Sequence, residues 1–306
     1  METKTILYPY YITGFADAEG CFNVTISPRI SGNYQVSLRF SIELHQRDLT
    51  ILKNIKSYFN DAGSISIRND KKEPKVTWSV RNFDSINNII IPHFDKYPLL
   101  TQKQADFLLF KEIALLMNNK EHLTDKGLPK IVAIKASMNS GLSDKLLTSF
   151  SEIKPYPRPL INTLEIPDSH WIAGFADGDG SFFVNVAKVN SKLGYSVKLM
   201  FRLAQHDRDL NLLNLIIKYL NCGTIQRKGN STKDFSMIDF NVSKFEHINM
   251  IIIPFFKKYQ ISSIKRLDFE DFCKVAEIMF KNEHKTLEGI NKIIQIKANM
   301  NSNRKL

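Results

Sequence analysis

Residues 11–20 read YITGFADAEG, and residues 171–180 read WIAGFADGDG. One pattern written twice in a chain of 306 residues means that the fold is a duplicated unit, and the surrounding sequence bears this out. Phe40–Leu52 (FSIELHQRDLTIL) matches Phe201–Leu213 (FRLAQHDRDLNLL), and Val80–Tyr97 matches Val242–Tyr259. Lys103, Asp106, Phe107 and Phe110 match Lys265, Asp268, Phe269 and Phe272. The E-H-x-T-x-x-G segments at 121–127 and 283–289 match, as do Met138-Asn139-Ser140 and Met300-Asn301-Ser302. The offset drifts only from 160 to 162, so the halves differ by small loop changes. The expected organisation is a repeat at 1–140, a linker at 141–167 and a repeat at 168–306. Gly141, Pro155, Pro157, Pro159 and Pro167 make that linker read as extended chain.

Within one repeat the periodicities predict the elements. An apolar helix spans 8–19 and is stopped by Gly20. Alternation predicts strands at 21–29 and 34–44, joined by Ser31-Gly32-Asn33, and two shorter strands at 64–69 and 75–81. Leu49, Leu52, Ile55 and Phe59 give helical spacing over Asp48–Phe59, and further helices are expected at 84–94, 103–118 and 127–138. The result is an α+β fold whose antiparallel sheet is covered on one face.

The uncovered face carries the functional signal. Its predicted outward residues are Asn23, Thr25, Ser27, Ser37, Arg39, Ser41, Lys75, Thr77 and Arg81 in the first repeat, and Asn185, Ser196, Lys198, Met200 and Arg202 in the second. Antiparallel sheets ordinarily leave one face to water. These side chains, however, are suited to base edges and phosphates. Forty-two Lys and Arg against 31 Asp and Glu give a formal charge of +11, which favours a polyanionic partner. The apolar runs Ile89–Ile91 and Ile251–Ile253 end at Pro92 and Pro254, so no membrane span is expected. Three cysteines without a C-x-x-C pair argue against a disulfide framework and a structural zinc site. The first residues look like neither a secretion signal nor a transit peptide.

Gly14 and Ala18, and Gly174 and Gly178, put small residues four apart, so the two motif helices are expected to pack on each other. Glu19 and Asp179 then stand at equivalent helix C-termini, where a carboxylate opposes the helix dipole. A single such acid is ordinarily a solvated cap. Two, at matched positions in a cationic chain, point to ligands of a divalent cation, and oxygen donors of this kind suit Mg²⁺. A bound Mg²⁺ would activate water and neutralise phosphate charge, and two acids imply one cut per strand of a duplex. Asp17 and Asp177 read as hydrogen-bonding partners at the helix interface. His45, His206, His122 and His284 recur by repeat without metal spacing and read as structural.

The two decamers resemble the signature of the LAGLIDADG homing endonucleases, of the single-chain class with two motifs, and the resemblance covers nearly the whole chain. It implies two pseudo-symmetric αββαββα repeats, with saddle-like antiparallel sheets, packed through the motif helices. It implies a monomer that binds a long, partly asymmetric double-stranded DNA target and hydrolyses one phosphodiester per strand, leaving a staggered break. By the same resemblance Glu19 and Asp179 are the catalytic metal ligands, with the Ala18 and Gly178 carbonyls assisting. Mn²⁺ is expected to replace Mg²⁺, and Ca²⁺ to bind without supporting cleavage. Lys103 and Lys265 fall where the family places a basic residue, and Gln205 where it often places a polar residue near metal and water. Leu44 is the counterpart of Gln205, so the half-sites are expected to be unequal. Some relatives are RNA maturases, which makes intron RNA the partner under the competing reading. The abundance of Asn, Ile, Lys and Phe fits an AT-rich, mitochondrially encoded intron gene.

Overall fold

The computed structural model describes residues 7–30, 33–69, 74–227, 237–301 and 304. Ser31 and Gly32 of the predicted turn, and Ser302 of the last repeated block, lie outside them. In the first repeat α1 (Pro9–Glu19) leads into β1 (Gly20–Pro28) and β2 (Tyr34–His45). There follow α2 (Leu49–Tyr58), β3 (Ser64–Arg68), β4 (Lys75–Val80), a continuous helical stretch α3 at 83–96, α4 (Lys103–Asn118) and α5 (Gly127–Ala136). The second repeat returns the same series: α7 (Ser169–Asp179), β5 (Gly180–Lys188), β6 (Tyr195–His206), α8 (Leu210–Leu220), β7 (Thr224–Arg227) and β8 (Met237–Val242). Its helices α9 (245–258), α10 (Lys265–Phe280) and α11 (Leu287–Ala298) complete it. Between the repeats the expected extended chain contains a short helix, α6 (Asp144–Ser149). Asp144 opens it and the apolar pair Leu146-Leu147 lies within it, a signal too short to outweigh the surrounding prolines.

Two four-stranded antiparallel sheets result, ordered β1-β2-β4-β3 and β5-β6-β8-β7. Period-two alternation puts Phe22, Val24, Phe40, Ile42, Trp78 and Val80 on one buried face, and α3 and α4 cover it. Phe22 meets Phe94, Phe107 and Phe110 with ring centroids 5.2, 5.3 and 5.4 Å away. Phe182 repeats this with Phe256, Phe269 and Phe272 at 5.3, 5.1 and 5.4 Å. Each such ring contributes about 2 kcal/mol by leaving water, so these clusters anchor the sheets to their helices.

The chain divides into two compact units, Glu19–Thr163 and Leu164–Leu306 with Met1–Ala18. The first motif helix therefore packs, up to Ala18, within the unit built by the second repeat. Its seam with α7 is backbone against backbone. A Cβ on Gly14 would lie 2.0 Å from the Trp171 carbonyl oxygen, and one on Gly174 would lie 2.0 Å from that of Tyr11. Gly20 opens β1 without the positive φ of the left-handed helix stop expected there, and the same holds for its counterpart Gly180. The φ of Gly180 is −81°, and it is glycine because a Cβ there would stand 2.4 Å from the Ala176 carbonyl.

The repeated T-x-x-G has an equally local cause. Thr124 and Thr286 each accept the N–H of the glycine three residues on, at 3.0 Å; Thr286 thereby caps α11, and Thr124 holds the first residue of α5. A Cβ on Gly127 or Gly289 would strike the Glu121 or Glu283 carbonyl at 1.9 or 2.0 Å. His45 and His206 are also local, since each Nδ1 accepts the N–H of the arginine two residues on.

Candidate nuclease site and nucleic-acid surface

Glu19 is the last residue of α1 and Asp179 the last of α7, so the chain presents each acid where a helix hands over to the first strand of a sheet. The surroundings of Asp179 lie within one unit. The Gln205 side-chain amide, at the end of β6, donates to Oδ2 of Asp179. Lys265, the first residue of α10, places Nζ 2.6 Å from the Gly178 carbonyl oxygen and 3.1 Å from that of Ala176. An ammonium on the last carbonyls of α7 offsets the negative helix end that Asp179 would otherwise worsen. Lys265 thus does at the helix terminus part of what a cation would do, on the same carbonyl that was expected to assist a metal.

The acids two residues earlier have another task. Asp177 accepts the Ser262 and Ser263 N–H groups, both at 2.9 Å, and the Ser263 and Tyr11 hydroxyls. Trp171 Nε1 donates to Asp17 Oδ2 at 2.8 Å. Tyr11 and Trp171 therefore cross-link α1 and α7 in opposite directions. Burial, and Asp177 beside it, hold the Tyr11 phenol well above its usual range, so it remains a donor. Sequence alone missed Tyr11, Trp171 and the two serines, although the aromatic at matching first positions of both decamers was the available signal.

The donor set fits a hard cation. Among the described residues no group of three or more His, Cys, Asp or Glu could hold a metal alone. One or two carboxylates and backbone carbonyls would leave the remaining positions to water and substrate phosphate, which is how Mg²⁺ is ordinarily bound.

The strand register fixes the polar faces. In the first sheet Asn23 faces Arg39, Thr25 faces Ser37, Ser27 faces Gln35, Glu43 faces Thr77 and His45 faces Lys75. The outer strand adds Ser64, Ser66 and Arg68 to that face, three residues the sequence reading did not single out. Ser41 is on this face but buried to 6% exposure, and Arg81 lies one residue beyond β4, so neither is an open sheet contact as expected. Glu43 accepts from Lys75 Nζ and Thr77 Oγ1, both at 3.1 Å, and the lysine beside it holds its carboxyl below the usual carboxylate range.

The second sheet pairs Asn185 with Lys198, Phe183 with Met200 and Ser181 with Arg202. Arg202 lies over the Phe183 ring at 5.5 Å and beside Asp239 at 3.6 Å. Asp239 faces Ala204 and Gln226, where the first repeat has Thr77 between Glu43 and Ser66. The two faces are thus built alike and decorated differently. Among the described residues no helix is long and apolar enough to cross a membrane.

A family model for LAGLIDADG endonucleases matches residues 12–114 and again 172–276. Two Neurospora crassa proteins described as probable intron-encoded endonucleases 3 and 2 are each 40% identical, over 93% and 96% of this chain. The chain spans 53% and 65% of their lengths. A Podospora anserina protein of ND4 intron 1 is 43% identical over 39% of the chain and 26% of its own length. The homing endonuclease I-SmaMI bound to cleaved DNA superposes with a TM-score of 0.92 at 40% identity, over 98% of this chain and 99% of that one. Its calcium form on an uncleaved DNA target gives 0.91 at 40% identity, over 96% and 99%.

Proposed function

The chain belongs to the LAGLIDADG endonuclease family, and from that premise we propose that it is a site-specific DNA endonuclease that uses a divalent metal to cut one phosphodiester in each strand. The observation that carries this reading is the duplicated helix end. Each motif helix finishes in an acid, Glu19 or Asp179, at the first strand of a polar-faced sheet, and each repeat brings a lysine at the start of a following helix. The two I-SmaMI structures, one with cleaved DNA and one uncleaved with calcium, support cleavage with a divalent ion, and the oxygen-rich donor set favours Mg²⁺. Bound there, the cation supplies charge neutralisation at the phosphate and a more acidic water.

The protein groups have separate tasks. Glu19 and Asp179 hold the cation. Gln205 fixes the Asp179 carboxylate in one orientation, and Lys103 and Lys265 place positive charge beside the phosphate oxygens. The sheet residues Asn23, Thr25, Ser27, Ser37, Arg39, Lys75, Thr77, Asn185, Ser196, Lys198, Met200 and Arg202 face the duplex. The product is a staggered double-strand break in a long target, made by one chain that supplies both acids. The gene is mitochondrial and intron-borne, as its intron-encoded fungal relatives support.

Incubating the chain with a randomised plasmid library in Mg²⁺ and, separately, in Ca²⁺ tests this. Cleavage of a recoverable site in Mg²⁺ only is expected, and Glu19→Gln or Asp179→Asn should lower the rate by about two orders of magnitude or more without loss of binding. Tight intron RNA binding with no DNA cut under any condition would turn the reading into that of a splicing cofactor.

A further inference from the structure

Each repeat contains the same chain of hydrogen bonds, running from the helix that carries its lysine to the strand that follows its acid. In the unit Glu19–Thr163, Asp106 lies one turn beyond Lys103 on α4 and is only 7% exposed. Its Oδ1 accepts the Asn139 N–H at 2.9 Å, and the Asn139 side-chain amide donates to the Phe22 carbonyl at 2.8 Å. Phe22 is on β1, three residues after Glu19. In the other unit Asp268, 7% exposed and one turn beyond Lys265, accepts the Asn301 N–H at 2.9 Å. The Asn301 amide donates to the Phe182 carbonyl at 3.3 Å, three residues after Asp179. Both asparagines sit in the left-handed region, with φ of 48° and 57°, a turn that asparagine tolerates and that aims its amide back at the strand.

A buried carboxylate needs a charged partner to be tolerable. In each repeat the partner is an arginine that follows the last helix. Arg158, from the segment between the repeats, takes both Asp106 oxygens at 2.9 and 3.0 Å. Its remaining donors reach the Ser137 carbonyl at 2.7 Å and the Gln102 carbonyl at 3.1 Å, and Gln102 is the residue before Lys103. Arg304 binds Asp268 Oδ1 through Nε at 3.1 Å and Nη2 at 2.7 Å, and reaches Asp271 at 2.7 Å. The forked, permanently charged guanidinium is the side chain suited to lock such a joint.

We propose that Arg158 and Arg304 are positioning residues: each fixes, through Asp106 or Asp268 and the adjoining asparagine, one lysine relative to one acid, and so sets the rate at which one DNA strand is cut. The inference rests on the nuclease reading above and deepens it. Neither arginine touches the reacting groups. Placement errors of about 1 Å in such a site cost up to about a hundredfold in rate, so a loosened joint has a measurable effect.

The test uses the full chain with Mg²⁺ and its recovered target, each strand end-labelled separately, and follows nicking of both strands. Arg158→Gln is expected to slow one strand by roughly tenfold more than the other, and Arg304→Gln to show the opposite strand bias. Target binding in Ca²⁺ should stay within about twofold, and Arg158→Lys, which keeps the charge but not the fork, should recover part of the rate. Asn139→Ala and Asn301→Ala cut the joint at its other end and serve if an arginine variant fails to fold; they should give the same opposed biases. Equal slowing of both strands, bias toward the same strand in both variants, or loss that follows the melting temperature overturns the proposal. An unaltered chain that cuts no DNA overturns the nuclease reading, and this proposal with it. A cutting chain whose variants show no strand bias overturns the proposal alone.

Discussion

Gln205 donates its amide to Asp179, whereas the first repeat has Leu44 at the same strand position, paired with Val76. Gln205→Leu should therefore slow one strand by roughly tenfold and leave the other within about twofold, read by separate strand labels; equal effects would remove Gln205 from the site. His93 carries a prediction for stability. It is 8% exposed, and burial pushes its imidazole down to about 3. Tyr58, lifted to about 12 mainly by its own burial, lies 3.2 Å from His93 Nδ1 and stays protonated. The unfolded chain gains a proton near the ordinary histidine value of about 6.5, while the folded ring refuses it until about 3. The contribution of His93 is thus complete above about pH 6.5 and falls as pH drops toward 3, by on the order of 1 kcal/mol per pH unit. His93→Gln should flatten the decline in urea midpoint between about pH 6.5 and 5, and an unchanged slope would refute the assignment.

At the level of elements, the α1–α7 seam tolerates no side chain. Gly174→Ala, with its methyl 2.0 Å from a carbonyl oxygen, should cost at least about 3 kcal/mol in thermal or urea unfolding, more than ordinary overpacking. Thr286→Ala removes only a cap and should cost about 1 kcal/mol; comparable losses in the two variants would contradict the close-approach explanation.

Most elements were legible in the sequence because each has one strong local cause. Alternation over 34–44, helical spacing over 103–118 and duplication itself recovered the sheets and helices to within a residue or two. Glu19 and Asp179 were legible as helix-terminal acids for the same reason. The joints were not. Arg158 lies 52 residues from Asp106 and Ser263 lies 86 from Asp177, and no periodicity links such partners. Ser64, Ser66 and Arg68 were overlooked because β3 is short and only its register with β4 reveals which face they share. The left-handed stop expected at Gly20 is absent because a helix-ending glycine has two physical causes, a positive φ or a crowded Cβ as at Gly180, and a sequence does not distinguish them.

Across the whole molecule a formal charge of +11 should make DNA association steeply dependent on salt. If about six or more phosphates are contacted, affinity should fall by roughly a thousandfold or more between about 50 and about 200 mM salt, as filter binding or anisotropy would read. Arg39→Ala, at a phosphate, would lower the slope by about one; at a base, it would relax preference at a single position and leave the slope nearly intact. A flat salt profile would rule out a nucleic-acid interface of this kind.

The cross-links between the motif helices are reciprocal yet unlike, Tyr11 to Asp177 in one direction and Trp171 to Asp17 in the other. Two separate copies of a single half could only mirror each other, and their recognition would be confined to palindromes. Tethering both halves in one polypeptide lifts that confinement, so Arg202 against Phe183 can arise in one sheet while Ser41 stays in the other. Coding sequence is seldom self-complementary over a long stretch, and a protein so arranged is free to follow a target whose two halves differ.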